Sequence, residues 1–235
     1  MKTLALALVL SAAAGSSANA ALVYGGGTET VTRFNPGAGV IAYMNCFTPI
    51  TGGNNQLVLE SVEVGIRRLT TAGLLTDVGL NIYAAEMTFD GTNFGRGTNT
   101  LLFSTNSLGG GTVTATQLVS TGTISGPTLN LETTSNPGLG GWWIGVEFTG
   151  ANASNTINGW RVTNAPTTGA SINSFGLFNN ASSGVFQAFF GFGSPPGSSP
   201  SRFLTNVNGT LVPAPGAVAL LGLGGVAAVR RRRAR

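Results

Sequence analysis

The side chains able to do chemistry in this sequence are eight carboxylates and a single cysteine, Cys46, with no histidine anywhere. Without an imidazole, neither a Ser-His-Asp relay nor a histidine-bearing zinc site can be assembled, and no such base stands beside the Cys46 thiol to activate it. One cysteine cannot form an intrachain disulfide, so Cys46 is expected as a small packed hydrophobe, with a cross-link between two copies as the alternative. The remaining hydrolytic option is a pair of carboxylates flanking a glycosidic bond, drawn from Asp77, Glu86, Asp90, Glu132 and Glu147. They are spread over apparent turns and strands, where acids are ordinarily solvated surface groups. The sequence therefore assigns no catalytic residue, no cofactor site and no metal site, and no cofactor is expected.

Weaker motifs point the same way. Asp90-Gly91-Thr92-Asn93 clusters oxygen ligands but lacks the spacing of a calcium loop, so a turn held by Asp90 is expected. Gly25-Gly26-Gly27-Thr28 lacks the lysine of a phosphate loop and is expected to free the N-terminal end of the body. Tyr83, Trp143, Trp160 and Phe189 are candidate solvent-side aromatics, able to stack on sugars or fill an interface. Asn152-Ala153-Ser154, Asn180-Ala181-Ser182 and Asn208-Gly209-Thr210 match a glycosylation pattern, and the character of the C-terminal tail described below makes chance matches the expectation.

The elements that must position these groups read as strands. Val62, Val64 and Ile66 alternate with Glu63, Gly65 and Arg67. The same period returns in Leu80-Asn81-Ile82-Tyr83 and over Val113 to Val119. It recurs in Trp142, Ile144, Val146 and Phe148 set against Trp143, Gly145 and Glu147, and again in Phe186, Ala188, Phe190 and Phe192. Between them lie turn signals at Thr51 to Asn55, Leu108 to Gly111, Gly138 to Gly141 and Gly193 to Gly197, with Ser198 to Pro200 as a flexible passage. No internal stretch has helical periodicity with clean caps, and Gly stands at 36 residues without a collagen period. The expected body is one all-β domain, an antiparallel β-sandwich of jelly-roll type over 21–211.

The formal net charge of +4 belongs to the ends. Lys2 and Arg230, Arg231, Arg232, Arg233 and Arg235 leave six basic residues against eight acids between Ala21 and Val229, or −2. A nucleic-acid face needs basic groups gathered over the folded surface, so no nucleic-acid partner is expected.

Both ends read as addresses. Lys2, the apolar run Leu4 to Leu10 and the small residues Ala18 and Ala20 form a signal peptide over 1–20, cut before Ala21 by signal peptidase after passage through the export machinery. At the other end Pro213 and Pro215 precede fourteen uncharged residues, Gly216 to Val229, and then the arginines. Fourteen residues fall short of the roughly twenty that cross a full bilayer, yet arginine stems and local thinning make a marginal span feasible. A basic cluster stays on the cytoplasmic side, which predicts the body outside and the arginines inside.

Val212-Pro213-Ala214-Pro215, Leu220-Leu221-Gly222-Leu223-Gly224 and the arginine cluster resemble the PEP-CTERM sorting signal of exported proteins from exopolysaccharide-producing Gram-negative and related bacteria, a tail also labelled an ice-binding-protein C-terminal domain. The resemblance implies an exosortase as partner, with Pro213 and Pro215 as the recognition site, 216–229 as the membrane segment and Arg230 to Arg233 as the stop. Ala214 stands where that family usually has glutamate. A looser resemblance runs through Leu59 to Arg68, Asn81 to Tyr83 and Trp142 to Glu147, which are similar to β-sandwich bodies carried by such tails. Together these imply a non-catalytic protein of the cell surface or extracellular matrix, anchored at least transiently to the membrane. The alternatives are an exopolysaccharide-binding module and, behind it, a carboxylate-dependent glycoside hydrolase.

Overall fold

The computed structural model describes residues 20–37, 39–50, 54–68, 78–108, 116–132, 138–150, 158–172, 174–179, 186–190 and 202–213. Several expectations lie outside them: Ala18 of the cleavage site, Asp77, Phe192, the turns at 51–53, 109–111 and 193–197, the passage at 198–200, and Ala214, Pro215 and the segment through Arg235. Among the described residues no helix is long and apolar enough to cross a membrane.

All fourteen described elements are strands: β1 (Ala21–Tyr24), β2 (Glu29–Phe34), β3 (Val40–Pro49), β4 (Asn54–Arg68), β5 (Gly79–Phe89), β6 (Phe94–Thr105), β7 (Thr116–Ser120), β8 (Thr128–Asn130), β9 (Leu139–Thr149), β10 (Asn158–Thr163), β11 (Ser174–Asn179), β12 (Phe186–Phe190), β13 (Arg202–Phe203) and β14 (Thr205–Pro213). They form two antiparallel sheets packed face to face. The eight-stranded sheet runs β1-β14-β4-β10-β13, with β2 on β10 and with β7 and β8 on β4, and the six-stranded sheet runs β12-β11-β3-β9-β5-β6.

Alternation along the strands decides what enters the space between the sheets. From the eight-stranded sheet come Leu57, Leu59, Val62, Val64, Ile66, Trp160, Val162, Phe203 and Val207. From the six-stranded sheet come Met44, Cys46, Leu80, Ile82, Trp142, Ile144, Val146 and Phe148. The buried parity of β4 switches between Leu59 and Val62 because a bulge shifts the register there, with Asn208 opposite Ser61 but Gly209 opposite Leu59. Cys46 is fully buried, as its expected packing role requires.

The six-stranded sheet has a second dry face. Ile41, Tyr43, Phe47, Ala85, Met87 and Trp143 form a separate cluster, with Tyr83, Phe94, Phe178 and Phe186 packed against it. That face is closed by the sheet's own curl, which brings the edge strand β12 against the opposite edge strand β6. Phe186 of β12 lies 5.7 Å from the Tyr43 ring and 5.3 Å from Trp143. Small residues on the concave side permit the curl. A Cβ on Gly145 would sit 2.6 Å from Tyr43 Cε1, and one on Gly141 would sit 2.7 Å from Phe47 Cε1, so rings from β3 occupy the space these glycines leave.

Three expectations are corrected by this architecture. Trp143 and Trp160 are not solvent-side: both are fully buried, Trp143 because the curl covers the face that alternation alone would leave wet, and Trp160 because β10 turns it into the core between the sheets. Gly25 to Gly27 do not free the N-terminal end. Gly25 N–H donates to Thr168 O at 3.1 Å and Gly26 N–H to Asn206 Oδ1 at 3.1 Å, with both glycines at positive φ in a packed link between β1 and β2. Of the segment Gly138 to Gly141, Gly138 turns, whereas Leu139 to Gly141 already belong to β9. Asn54 and Asn55 likewise belong to β4.

Candidate functional site at the rim of the curled sheet

The concave face of the six-stranded sheet carries its polar groups along one rim. Register places Asn81 beside Glu147 and Tyr83 beside Gly145 across β5 and β9. Glu147 is only 8% exposed, and its Oε2 accepts from the Tyr83 hydroxyl at 2.7 Å and from Asn81 Nδ2 at 3.0 Å. Burial pushes the Tyr83 phenol well above its ordinary range, and the neighbouring Glu147 carboxylate pushes it further. Tyr83 is therefore a locked hydrogen-bond donor.

Arg96 of β6 closes the other side. Its guanidinium lies 4.2 Å from the Phe178 ring centre and 5.5 Å from that of Tyr43, and Nη1 donates to the Tyr43 hydroxyl at 3.4 Å. Burial raises the Tyr43 phenol to about 12, with Arg96 pulling in the opposite direction. Arg96 Nε and Asn99 Oδ1 are buried without hydrogen-bond partners among the described residues. The Trp143 indole N–H, by contrast, is spent on Gly95 O at 2.9 Å. Sequence reasoning did not single out Arg96, since nothing in Gly95-Arg96-Gly97 announces that β6 will face Tyr43 across the curl.

Glu86 and Glu147 do not converge. Glu86 faces Trp142 in register while Glu147 faces Asn81, which separates them by five residues of β5, about 16 Å at strand rise and beyond the ~10 Å of a glycosidase pair. Glu86 Oε1 instead accepts from Asn130 N–H at 3.1 Å and Asn130 Nδ2 at 2.9 Å. Glu132 is bridged through its backbone to Gly141. Asp90 forms the expected turn: its Oδ1 accepts from Asn93 N–H at 2.7 Å and Thr92 N–H at 2.8 Å, bonds that hold its carboxyl below the usual range. That turn borders a cleft of about 200 Å³ lined by Thr88, Phe89, Asp90, Asn93, Phe94 and Gly95. No group of three or more His, Cys, Asp or Glu suited to a metal occurs among the described residues.

Of the candidate aromatics, Tyr83 alone stands half-buried at this rim, and the side chain of Phe189 lies outside the description. Ala20 is exposed, Ala21 opens β1, and Val212 and Pro213 close β14, paired with Gln56 and Asn54. The final strand thus extends past the body limit of 211 read from the sequence. No family model, no curated protein and no solved structure matches this chain.

Proposed function

We propose that this chain is an exported, non-catalytic module of the cell surface or extracellular matrix, its leader removed before Ala21 and its tail sorted through a PEP-CTERM-like signal by an exosortase. The observation that carries it is the pairing of the first and last strands. Ala21 of β1 lies opposite Gly209 of β14, so the chain enters and leaves at the same end of the eight-stranded sheet. A leader before Ala21 and a tail after Pro213 would extend from that one end, an arrangement suited to a body projecting from a membrane. The stretch between the two proposed processing sites is the stretch that builds the paired sheets.

The jelly-roll form of the sandwich belongs to the same proposal. Successive elements pass repeatedly between the sheets, with β3, β5, β6, β9, β11 and β12 in one and the others in the second, a pattern that supports it.

Fractionation of cells expressing the full chain and a version ending at Pro213 tests the sorting. The full chain is expected in the membrane or surface fraction and the shortened chain in the medium or periplasm. Identical release of both, or cytoplasmic retention of both, would overturn it. Truncation at Pro213 preserves the β14 pairs with Leu57, Gln56 and Asn54, which an earlier cut would remove.

A further inference from the structure

The outer face of the eight-stranded sheet gathers three of the body's six arginines. β10 sends Trp160 and Val162 into the core and so turns Arg161 outward; β4 buries Val64 and Ile66 and turns Arg67 outward; β2 packs Phe34 on the core and turns Arg33 outward. Arg33 stands directly opposite Arg161, and Arg67 stands opposite Gly159 on the far side of β10. A Cβ on Gly159 would sit 2.8 Å from Arg33 Cδ, so the Arg33 stem lies across the bare backbone of β10, between its own strand and that of Arg67. Like charges facing one another across a ladder are destabilising, and the cations press on each other here. After burial, repulsion by Arg67 and then Arg161 is what lowers the Arg33 pKa.

Arg161 is the fixed member. Its side chain is 5% exposed, its Nε lies 3.2 Å from Glu29 Oε2, and its Nη2 donates to the Thr30 carbonyl. Glu29 also accepts from the Thr116 hydroxyl, so this carboxylate is held against Arg161. Arg67 differs: it is half-buried, and its Nε finds no hydrogen-bond partner among the described residues. A buried charged donor left unmatched beside two more guanidiniums is a costly arrangement unless an anion completes it.

We propose that Arg33 and Arg67, with the Glu29-bound Arg161 behind them, form a binding site for the carboxylate groups of an acidic polysaccharide. It deepens the surface-module reading by naming what the module holds. A guanidinium fork matches a carboxylate through two parallel bonds, and the Glu29–Arg161 pair shows a carboxylate already seated in this cluster. At β10 and β4 the strands of the site are paired on both sides, so there a ligand meets side chains of the sheet face and not a strand edge. Nucleic acid would call for a longer run of cations or a stacking platform beside them. The cluster lies near the Arg68 end of β4, about 40 Å at strand rise from Asn54, where β14 leaves the sheet. It thus points away from the end from which the tail departs.

The test uses the full chain in detergent, with alginate as the uronic-acid polymer, dextran as a neutral polymer, polyglutamate as an acidic peptide and single-stranded DNA as a polyphosphate. Wild type is expected to bind alginate in low salt, to lose it as salt rises, and to prefer it to the other three. The Arg33→Gln, Arg67→Gln double variant is expected to lose at least about tenfold in affinity at a melting temperature no lower than that of wild type, since it relieves the repulsion within the cluster. Should the double variant fail to fold, the single Arg67→Gln variant, at a half-buried position, carries the same expectation. No alginate binding by wild type, undiminished binding by a folded variant, or equal binding to polyglutamate, DNA or dextran would overturn the proposal. A chain that is wrongly sorted yet binds alginate refutes the sorting reading alone.

Discussion

Trp142 and Trp143 are neighbours in sequence and both fully buried, yet they serve two different cores. Trp142 faces the eight-stranded sheet, with Tyr24 edge-on at 6.4 Å, in a core that exists only when distant segments pair. Trp143 faces the hollow of its own sheet, among Tyr43, Phe47, Met87 and Phe186, in a core created by curvature. The first core is shut on both sides by strands. The second is shut by the approach of β12 to β6 and is rimmed by Arg96, Tyr83 and Glu147. Burial of both faces of one strand therefore has two separate causes, and they should fail separately.

The largest expected effect is Trp142→Ala. Removing this side chain from the inter-sheet core should cost about 3–5 kcal/mol, a large share of the ~5–15 kcal/mol that usually holds a domain. Denaturant unfolding should show a midpoint far below that of wild type. Trp143→Ala should cost less, about 3 kcal/mol, because β12 can settle into the vacated space. Hydrogen exchange should then quicken in β11 and β12 while the β4–β14 ladder stays protected. Equal and global loss in both variants would merge the two cores into one.

Gly145→Ala sharpens the same contrast at smaller scale. Its methyl would press on Tyr43 Cε1 from 2.6 Å, and overpacking of this kind costs about 1–3 kcal/mol, read as a lower unfolding midpoint. The alkaline limb gives the smallest effect. Tyr43 titrates near 12 in the fold against an ordinary 10.0, so the fold prefers the neutral phenol. That preference is fully present below pH 10 and is lost as pH climbs towards 12. Tyr24 and Tyr83 are shifted in the same direction, chiefly by burial. A phenolate absorbance titration should show no tyrosine ionising near its ordinary value before the protein unfolds.

Much of this was legible in the sequence where a strand has one dry face. The parity of Val62, Val64 and Ile66, the opposition of Trp142 to Trp143, the burial of Cys46 and the Asp90 turn all follow from local pattern and turn chemistry. What escaped depends on curvature and convergence. Alternation assigns Trp143 to the second face of β9 but says nothing about whether another strand covers it. Trp160 sits on a short strand whose partners, Phe34 and Ile66, are far away in the chain. The bulge between Leu59 and Val62 leaves no mark in a pattern whose two halves each look regular. Arg33, Arg67 and Arg161 are sparse in sequence and become a cluster only through the β2–β10–β4 register. The three glycines after Tyr24 look like loose linker until Asn206 and Thr168 are seen to hold them.

The most direct test of the two-core account is hydroxyl-radical footprinting of the full folded chain, read residue by residue by mass spectrometry. Trp143 should be protected to the same degree as Trp142 and Trp160, while Leu101 and Leu118, which are 52% and 54% exposed, should be oxidised readily. Oxidation of Trp143 as fast as those two leucines would show that the curl does not close, and would return that tryptophan to the surface.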